Sequence, residues 1–381
     1  MIPERKLSVA LTFLFVFFRL ILSHAQTNAT GGSQFPAVPL NPGVLGQTTP
    51  TIQSNAAFGI SRDSTNANLN GGKYQEYQSL CRLNEYDIVK FYNTEIKQKR
   101  IELLKEKIAG AGEDTTKLKF RLIKEYIDQD QPSAIKPIAD TLKKQKLSDY
   151  ENNFLNGLIF TAEKNYSAAI SALNRALSEN KSNVEALQLL GEIYMLVGNY
   201  YEAGTIYEDL NKISENAYLV QLCETTVLNS LNAEAEKICS QASTKFPDNP
   251  FPVIYKGISH REREEAKRAL FAFQKAVGLK PTEMGYVCLA EAYFMKGSLT
   301  EAAENFKNGV DMVSRSVRAI LGLAWTQLKL KNYSESVAAF KKACKINVKY
   351  EADLRKAVKV LVDEKSREIK LFTEAADSCG R

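Results

Sequence analysis

The sequence of 381 residues predicts an all-α, repetitive solenoid. The first observation is a pattern that recurs about every 34 residues from Tyr150 onward, a period that accommodates two short helices and a turn. The second is that small residues return at fixed positions within each unit. The third is a short Asn-containing turn between the two halves of several units. Because each unit of such an array packs mainly on its neighbours, the chain need not divide into ordinary globular domains.

The first 25 residues differ in composition from the rest of the chain. Arg5 and Lys6 precede an apolar run, and Ser23-His24-Ala25 follows it. This order predicts a secretory signal peptide, residues 1–25, with a mature chain that begins at Gln26. Because Arg19 interrupts the apolar run, an uncleaved membrane anchor and a cytosolic chain remain alternatives. Apart from an uncleaved anchor, contact with a membrane is expected only by association.

Two further regions precede the repeats. Residues 26–73 are rich in Asn, Gly, Thr, Ser and Pro, which predicts a disordered tether that acts either as a spacer or as a binding tail. Residues 74–114 are predicted to form N-terminal helices. Among them, Ile88 to Ile108 is expected to be one amphipathic helix that ends near Gly110 and Gly112.

Six units align without gaps inside each unit. Helices that approach closely need small residues at the contact, while larger side chains fill the space beside them. The units start at Tyr150, Val184, Asn216, Pro250, Glu283 and Val317. Their eighth positions are small: Gly157, Gly191, Cys223, Gly257, Ala290 and Ala324. Their twentieth positions are Ala169, Ala203, Ala235, Ala269, Ala302 and Ser336, and their twenty-seventh are Ala176, Leu210, Ala242, Ala276, Gly309 and Ala343. Their twenty-fourth positions are mostly large: Leu173, Tyr207, Cys239, Phe273, Phe306 and Phe340.

The turns between helices are also visible in the sequence. They occur as Lys164-Asn165-Tyr166, Gly198-Asn199-Tyr200 and Lys331-Asn332-Tyr333, and Pro247 and Pro281 are expected to end second helices. From Tyr150 to Tyr350 this pattern resembles the tetratricopeptide repeat (TPR) family. The resemblance implies a right-handed superhelical solenoid of helix-turn-helix units whose inner groove binds other proteins.

The two ends of the array are less regular. A degenerate unit starting at Thr115 would place Leu122, Ala134 and Ile138 at positions eight, twenty and twenty-four, which gives six to seven units over residues 115–350. Residues 351–381 are predicted to contain one long C-terminal capping helix, from Ala352 to about Ala375, because the exposed end of a solenoid requires a cap.

The resemblance also implies which residues line the groove. In this family the second, fifth, ninth, twelfth and thirteenth positions of each first helix generally face it, although packing between repeats is the alternative for each residue. Glutamate or apolar residues occupy most places where chaperone-binding members use Lys and Asn, so a carboxylate clamp is not expected. The fluorescent Trp325 lines the groove if the last unit starts at Val317, and is buried if Gly322 is instead the eighth residue. The predicted groove residues are Phe154, Leu158, Glu192, Met195, Val220, Glu224, Phe251, Ile254, Ile258, Val287, Glu291, Phe294, Met295, Leu321 and Trp325.

Other chemically active residues give weaker signals. Cys223 and Cys239 occupy facing positions of one unit, so they are expected to be neighbours, either as buried thiols or as a disulfide. The six cysteines lack the close spacing of a zinc or redox site, and no metal or cofactor is predicted. His260 is expected to be a packed structural residue. From Lys97 to Lys146, 13 basic residues stand against 8 acidic ones, which indicates a solvated surface or an anion-binding one. Because aromatic residues are not interleaved with them, nucleic acid is not an expected partner.

The sequence therefore predicts a non-enzymatic, extracytoplasmic scaffold or adaptor. Its partner would be an apolar or amphipathic segment of a protein of the cell envelope, and its location the periplasm or envelope. A glycan- or lipid-binding carrier or sensor is the alternative function. A eukaryotic secretory pathway is the alternative location, since Asn28-Ala29-Thr30, Asn165-Tyr166-Ser167 and Asn332-Tyr333-Ser334 match glycosylation acceptors.

Overall fold

The computed structural model describes residues 81, 94–110 and 115–379, and regular structure in these residues is entirely helical. The predicted signal peptide, the tether, Ile88 and Gly112 lie outside the described residues. The helices are α1 (Thr94–Gly110), α2 (Thr116–Asp128), α3 (Ile135–Lys143), α4 (Asp149–Ala162), α5 (Tyr166–Glu179), α6 (Val184–Leu196), α7 (Tyr200–Ile213), α8 (Leu219–Leu228), α9 (Asn232–Lys245), α10 (Phe251–Glu262), α11 (Ala266–Leu279), α12 (Glu283–Lys296), α13 (Leu299–Met312), α14 (Val317–Lys329), α15 (Tyr333–Ile346), α16 (Glu351–Asp363) and α17 (Ile369–Asp377). Two short 3₁₀ helices, Pro132–Ala134 and Val348–Tyr350, precede α3 and α16.

From α2 onward the helices form eight consecutive hairpins, which we number 1 (α2–α3) to 8 (α16–α17). The two helices of each hairpin pack on each other, and most second helices also contact the first helix of the next hairpin. In much of the array, first helices of neighbouring hairpins contact each other as well. Helix α1 packs on α2. This nearest-neighbour packing is that of a helical solenoid.

A left-handed residue marks the turn inside every hairpin. These residues are spaced 34 apart, except for one step of 32 and one of 33. In hairpin 2, the residue after the left-handed Lys164 is Asn165, whose side chain accepts a hydrogen bond from the Ala168 amide at 3.3 Å. Tyr166 then begins α5. The predicted turn is thus a left-handed residue followed by a helix N-cap. The left-handed residues are Asp130, Lys164, Gly198, Ser230, Glu264, Gly297, Lys331 and Lys365.

Packing within hairpins follows the predicted alternation of small and large side chains. The residues named above for positions eight, twenty, twenty-four and twenty-seven are buried in all six predicted units. A Cβ atom on Gly157 would lie 2.7 Å from Leu173, and one on Gly257 would lie 2.5 Å from Phe273. Positions eight and twenty-four therefore face each other, and glycine at one makes room for a large side chain at the other.

The register predicted for the first, degenerate unit is wrong by one residue. Asp130 precedes Lys164 by one full period, so hairpin 1 starts at Thr116 rather than Thr115. Ala134 and Ile138, which the sequence placed in the core, are only half-buried. Positions eight and twenty-four are instead Ile123 and Ala139, both buried. In this unit the large residue stands at position eight and the small one at position twenty-four. This is the reverse of the arrangement in most other units, so the register could not be recognised from residue sizes.

The prediction of one long C-terminal helix is also wrong. The chain leaves the helical conformation after Asp363 and turns at Lys365, whose φ of 52° an α-helix cannot contain. Helix α17 then folds back, and the ring of Phe372 lies 6.4 Å from that of Phe340 in hairpin 7. The end of the array is capped by a hairpin, because burying Phe372 requires the chain to reverse.

Among the described helices, none has the length and apolar character needed to cross a bilayer.

Candidate partner-binding cleft

A cleft of about 460 Å³ runs across the first four hairpins. Its walls come largely from the first helices α2, α4, α6 and α8 and from the turns that follow α2 and α4. A volume of this size is within the range of ligand-binding pockets. The cleft lies where the solenoid stacks its first helices, the location that the family resemblance assigned to partner binding.

A polar network crosses the cleft between hairpins 1, 3 and 4. The Lys124 ammonium lies 2.9 Å from Glu192 Oε2 and 2.6 Å from Asp128 Oδ1. Gln188 donates to Glu192 at 2.9 Å, and the Tyr218 hydroxyl donates to Gln188 at 3.2 Å. Burial alone would lower the pKa of Lys124, but the two carboxylates more than offset this effect and raise it above its ordinary value. Lys124 is therefore a fixed positive charge held by two negative ones.

Aromatic side chains form another part of the wall. The rings of Tyr207 and Tyr218 stack with centroids 6.4 Å apart. Burial, followed by the negative charge of Glu192, raises the pKa of both hydroxyls. Both tyrosines therefore stay neutral, and each offers a flat apolar face with a polar edge.

Glu224 is the carboxyl group of the cleft whose charge changes near neutral pH. It is half-buried on α8 and accepts a hydrogen bond from Tyr255. Burial raises the pKa of Glu224 from 4.5 to about 7, although the bond from Tyr255 opposes this rise. The cleft thus gains a negative charge as the pH passes through neutrality.

This shift predicts a pH-dependent stability. Because the pKa of Glu224 is higher in the folded state, its contribution to stability is complete below pH 4.5 and is lost as the pH rises through about 7. We expect Glu224→Gln to be more stable than the natural chain at pH 8, and this advantage to shrink toward pH 4. Thermal unfolding midpoints across this range measure the difference. The exposed Glu234→Gln is the control; an equal pH-dependent gain in both variants would contradict the assignment.

Two of the predicted groove residues, Glu192 and Glu224, line the cleft. Most of the others are buried between helices, which corrects their assignment to an open groove. Side chains at these positions meet the next repeat before they reach solvent, as the packing alternative anticipated. Val220 and Phe251 are half-buried, and Met295 is 37% exposed. The buried ones are Phe154, Leu158, Met195, Ile254, Ile258, Val287, Glu291, Phe294, Leu321 and Trp325.

The position of Trp325 shows that a correct repeat register does not by itself predict which residues line an open groove. Lys331 occupies the turn position expected for a unit that starts at Val317, so that register is correct. Trp325 is nevertheless only 9% exposed, and its ring packs edge-on against Phe340 with centroids 5.4 Å apart. Leu361 and Phe372 of hairpin 8 belong to the same buried cluster. Hairpin 8, which was predicted as one long helix, thus contributes to the core around Trp325. The assignment of Trp325 as an open groove residue is wrong.

All six cysteines are paired. Cys223 and Cys239 have Cα atoms 4.9 Å apart and are bonded, as their facing positions allowed. The other two disulfides, Cys81–Cys288 and Cys344–Cys379, were not predicted. The only sequence signal for them was the even number of cysteines in a chain with an apparent signal peptide. Spacing carries no information about pairs separated by 207 and 35 residues.

The remaining predicted features have structural roles. His260 is buried, and its Nδ1 atom lies 2.7 Å from Glu265 Oε2, a carboxylate that Arg263 also binds. Several basic residues of the 97–146 region pair with carboxylates, among them Arg121 with Glu185 at 3.0 Å. In the part of the chain that the structure describes, His, Cys, Asp and Glu do not cluster in a way that would hold a metal ion.

Comparison with known proteins agrees with this architecture. Two family models described as tetratricopeptide repeat match the chain, one over residues 160–223 and the other over residues 289–350. No curated protein sequence matches the chain significantly.

Three solved structures share the fold. Yeast Tom70 aligns with a TM-score of 0.53 and 17% identity, over 74% of this chain and 62% of that one. The APC/C hetero-tetramer Cut9–Hcn1 aligns with a TM-score of 0.54 and 13% identity, over 72% of this chain and 53% of that one. A tetratricopeptide repeat protein from Parabacteroides merdae aligns with a TM-score of 0.50 and 14% identity, over 74% of this chain and 100% of that one. This chain thus spans less than two thirds of the first two structures.

Repeats of this kind indicate a scaffold for protein interactions, and such scaffolds are generally not catalytic. The eight stacked hairpins, the left-handed turns at the repeat period and the two family matches lead to one conclusion: the chain is a tetratricopeptide repeat protein.

Proposed function

We propose that this protein is an exported, non-enzymatic scaffold whose cleft across hairpins 1 to 4 binds an amphipathic segment of a protein partner in the cell envelope. The observation that carries the proposal is the composition of the cleft. Four carboxyl groups, those of Asp128, Asp130, Glu192 and Glu224, line it against two lysines. Tyr207 and Tyr218 add apolar surface.

The charges favour a partner segment that carries a basic residue. Both lysines are already engaged, Lys124 with Glu192 and Asp128, and Lys164 with Asp130 at 3.4 Å. Glu224 has a tyrosine rather than a cation as its hydrogen-bond partner. A basic side chain would pair with Glu224, and apolar side chains would pack on the tyrosine rings. A segment that carries both kinds of side chain is amphipathic.

The cysteines support an oxidising compartment. Disulfides persist in secreted and periplasmic proteins and are rare where cellular thiols keep cysteines reduced. Three disulfides that use every cysteine of the chain fit the former setting. Together with the apparent signal peptide, they support a place outside the cytoplasm.

Photo-crosslinking in the producing cell tests the proposal. A photoreactive residue at Leu196, which lines the cleft and is 43% exposed, is expected to capture a protein. The same residue at Leu279, which is 42% exposed and does not line the cleft, is the matched control. Mass spectrometry of the adduct should also place the N-terminus of this protein, the one that carries the photoreactive residue, at Gln26.

A peptide of the captured segment should then bind the purified protein. Glu224→Lys should weaken this binding about tenfold and reverse its salt dependence, because the partner's basic residue would meet a like charge. Equal capture from both positions, or none from Leu196, would contradict the cleft assignment. A bound glycan or lipid in place of a protein would favour a carrier. Retention of Met1 in the adduct would refute cleavage of the signal.

A further inference from the structure

The loops that connect hairpins 5, 6, 7 and 8 lie along one edge of the array. In a stack of helical hairpins, the turns inside hairpins form one edge and the connections between hairpins form the opposite edge. The connections here are residues 280–282, 313–316 and 347–350. Because consecutive hairpins pack on each other, these loops follow one another in a row. We call this row, with the helix ends that lead into it, the loop edge.

A large apolar side chain is exposed at each loop of this edge. Leu279 and Met312 are the last residues of α11 and α13, and they are 42% and 40% exposed. Both stand at the thirtieth position of their units, so they occupy equivalent places in successive hairpins. Val348, two residues after α15, is 57% exposed. The three side chains therefore form a row of exposed apolar groups rather than scattered ones.

A basic residue without a carboxylate partner stands in each of the same loops. These residues are Lys280, Arg315 and Lys349, and all three are exposed. Arg318 shortly after Arg315 pairs with Glu283, whereas among the described residues no carboxylate pairs with these three. The loops themselves contain no acidic residue. The loop edge is therefore both basic and apolar.

The two preceding connections have a different character. Ile213 stands at the thirtieth position of its unit and is 43% exposed, but the loop that follows it contains Glu215. The next connection, residues 246–250, contains Asp248. Asp311, in the last turn of α13, is an exposed acidic residue beside the loop edge, and it offsets one of the three positive charges. The excess of positive charge next to exposed apolar groups thus distinguishes the connections of hairpins 5 to 8 from these two.

We propose that the loop edge docks on the surface of a lipid bilayer that contains anionic lipids. Basic residues near such a surface are attracted to its negative charge, and apolar side chains enter the boundary between headgroups and acyl chains. A basic residue at a helix C-terminus is favourable by itself, but that effect does not explain an exposed apolar side chain beside it. A soluble polyanion would neutralise the charges and leave the apolar groups in water. The cleft is lined by hairpins 1 to 4 and takes no part in this docking.

Binding to lipid vesicles tests the contribution of the charges. One full-length variant combines Lys280→Gln, Arg315→Gln and Lys349→Gln. The matched control makes the same change at three exposed lysines beside the turns of hairpins 6 to 8, at the opposite edge: Lys296, Lys331 and Lys365. Both variants have the same net charge and the same N-terminus, so only the location of the lost charges differs.

Sedimentation with vesicles of phosphatidylglycerol and phosphatidylcholine measures the affinity. Each lost contact between a basic residue and the anionic surface is expected to weaken binding about fivefold. The loop-edge variant should therefore bind roughly a hundredfold more weakly than the natural chain, and the control nearly as well as the natural chain. Vesicles of phosphatidylcholine alone should bind all three proteins weakly.

A tryptophan introduced at the loop edge tests the apolar contact. Because Trp325 is buried, its own emission is expected to stay constant on docking. The emission of Met312→Trp should move to shorter wavelength on the anionic vesicles, and lipids brominated in their acyl chains should quench it. Met295→Trp is the control, because Met295 is 37% exposed and lies beside the turn of hairpin 6 at the opposite edge.

Three results would overturn the proposal. The first is a natural chain that binds anionic vesicles no better than neutral ones. The second is an equal loss of affinity in the two triple variants, because net charge alone would then explain the binding. The third is an emission of Met312→Trp that stays unchanged on the vesicles, which would leave an acidic protein or a soluble polyanion as the occupant of the loop edge.

Discussion

Replacing Arg318 by methionine is expected to lower the free energy of unfolding by about 3–5 kcal/mol, the cost of leaving a buried charge without its partner. Arg318 on α14 is 5% exposed, and Glu283 on α12 is 1% exposed. The guanidinium donates to Glu283 Oε1 at 2.8 Å and also contacts Oε2, while the Ser316 hydroxyl donates to the same carboxylate. This cluster joins hairpins 6 and 7. Because stability in a repeat array depends on interfaces between neighbours, hairpins 7 and 8 should unfold before the rest of Arg318→Met.

Urea unfolding followed by hydrogen exchange of individual segments measures this result. Arg355→Met is the matched control, since Arg355 is half-exposed and pairs with Glu351 and Asp377 on the surface; its cost should stay below about 1 kcal/mol. Glu283→Gln combined with Arg318→Met removes both charges and should recover much of the loss. A loss from Arg318→Met no larger than that from Arg355→Met would show that the buried pair does not hold the interface.

Gly322→Ala is expected to cost about 2–3 kcal/mol, the upper part of the range for overpacking a core. A Cβ atom on Gly322 would overlap the ring of Phe306, which is completely buried in hairpin 6. Because the Phe306 ring is completely buried, we expect the contact between hairpins 6 and 7 to widen. Thermal and urea unfolding of the variant measure the cost.

Two further variants separate overlap from other effects of alanine. Gly278→Ala lies on an exposed stretch of α11 where the added carbon meets nothing, so it should stabilise the chain by about 0.5–1 kcal/mol. Phe306→Leu in the Gly322→Ala background should regain part of the lost stability, because the smaller side chain removes the overlap. If Gly322→Ala proved as stable as the natural chain, the close contact with Phe306 would not exist.

Contacts within one hairpin were the predictable part of this molecule. Gly157 and Leu173, or Cys223 and Cys239, are sixteen residues apart in the same unit, and the repeat period fixes their separation and their facing sides. The same argument placed Cys223 and Cys239 side by side, and the structure shows that they are bonded. It failed in hairpin 1, where the large Ile123 stands at position eight and the small Ala139 at position twenty-four, both buried. Packing requires a suitable combined volume and not a particular residue at either position.

By itself, the sequence determined the repeat period, several of the turns and the alternation of small and large residues within each unit, because these depend on local turns and on contacts within 34 residues. The tertiary structure alone decided which groove positions remain open. Trp325 is buried in a cluster shared with hairpin 8, Glu291 binds the backbone of Cys81, and the cleft beside Glu224 remains accessible. These outcomes depend on contacts between residues that are up to 210 positions apart in the sequence. A repeating pattern predicts how each unit packs on the next, but not which repeats Cys81 and hairpin 8 pack against.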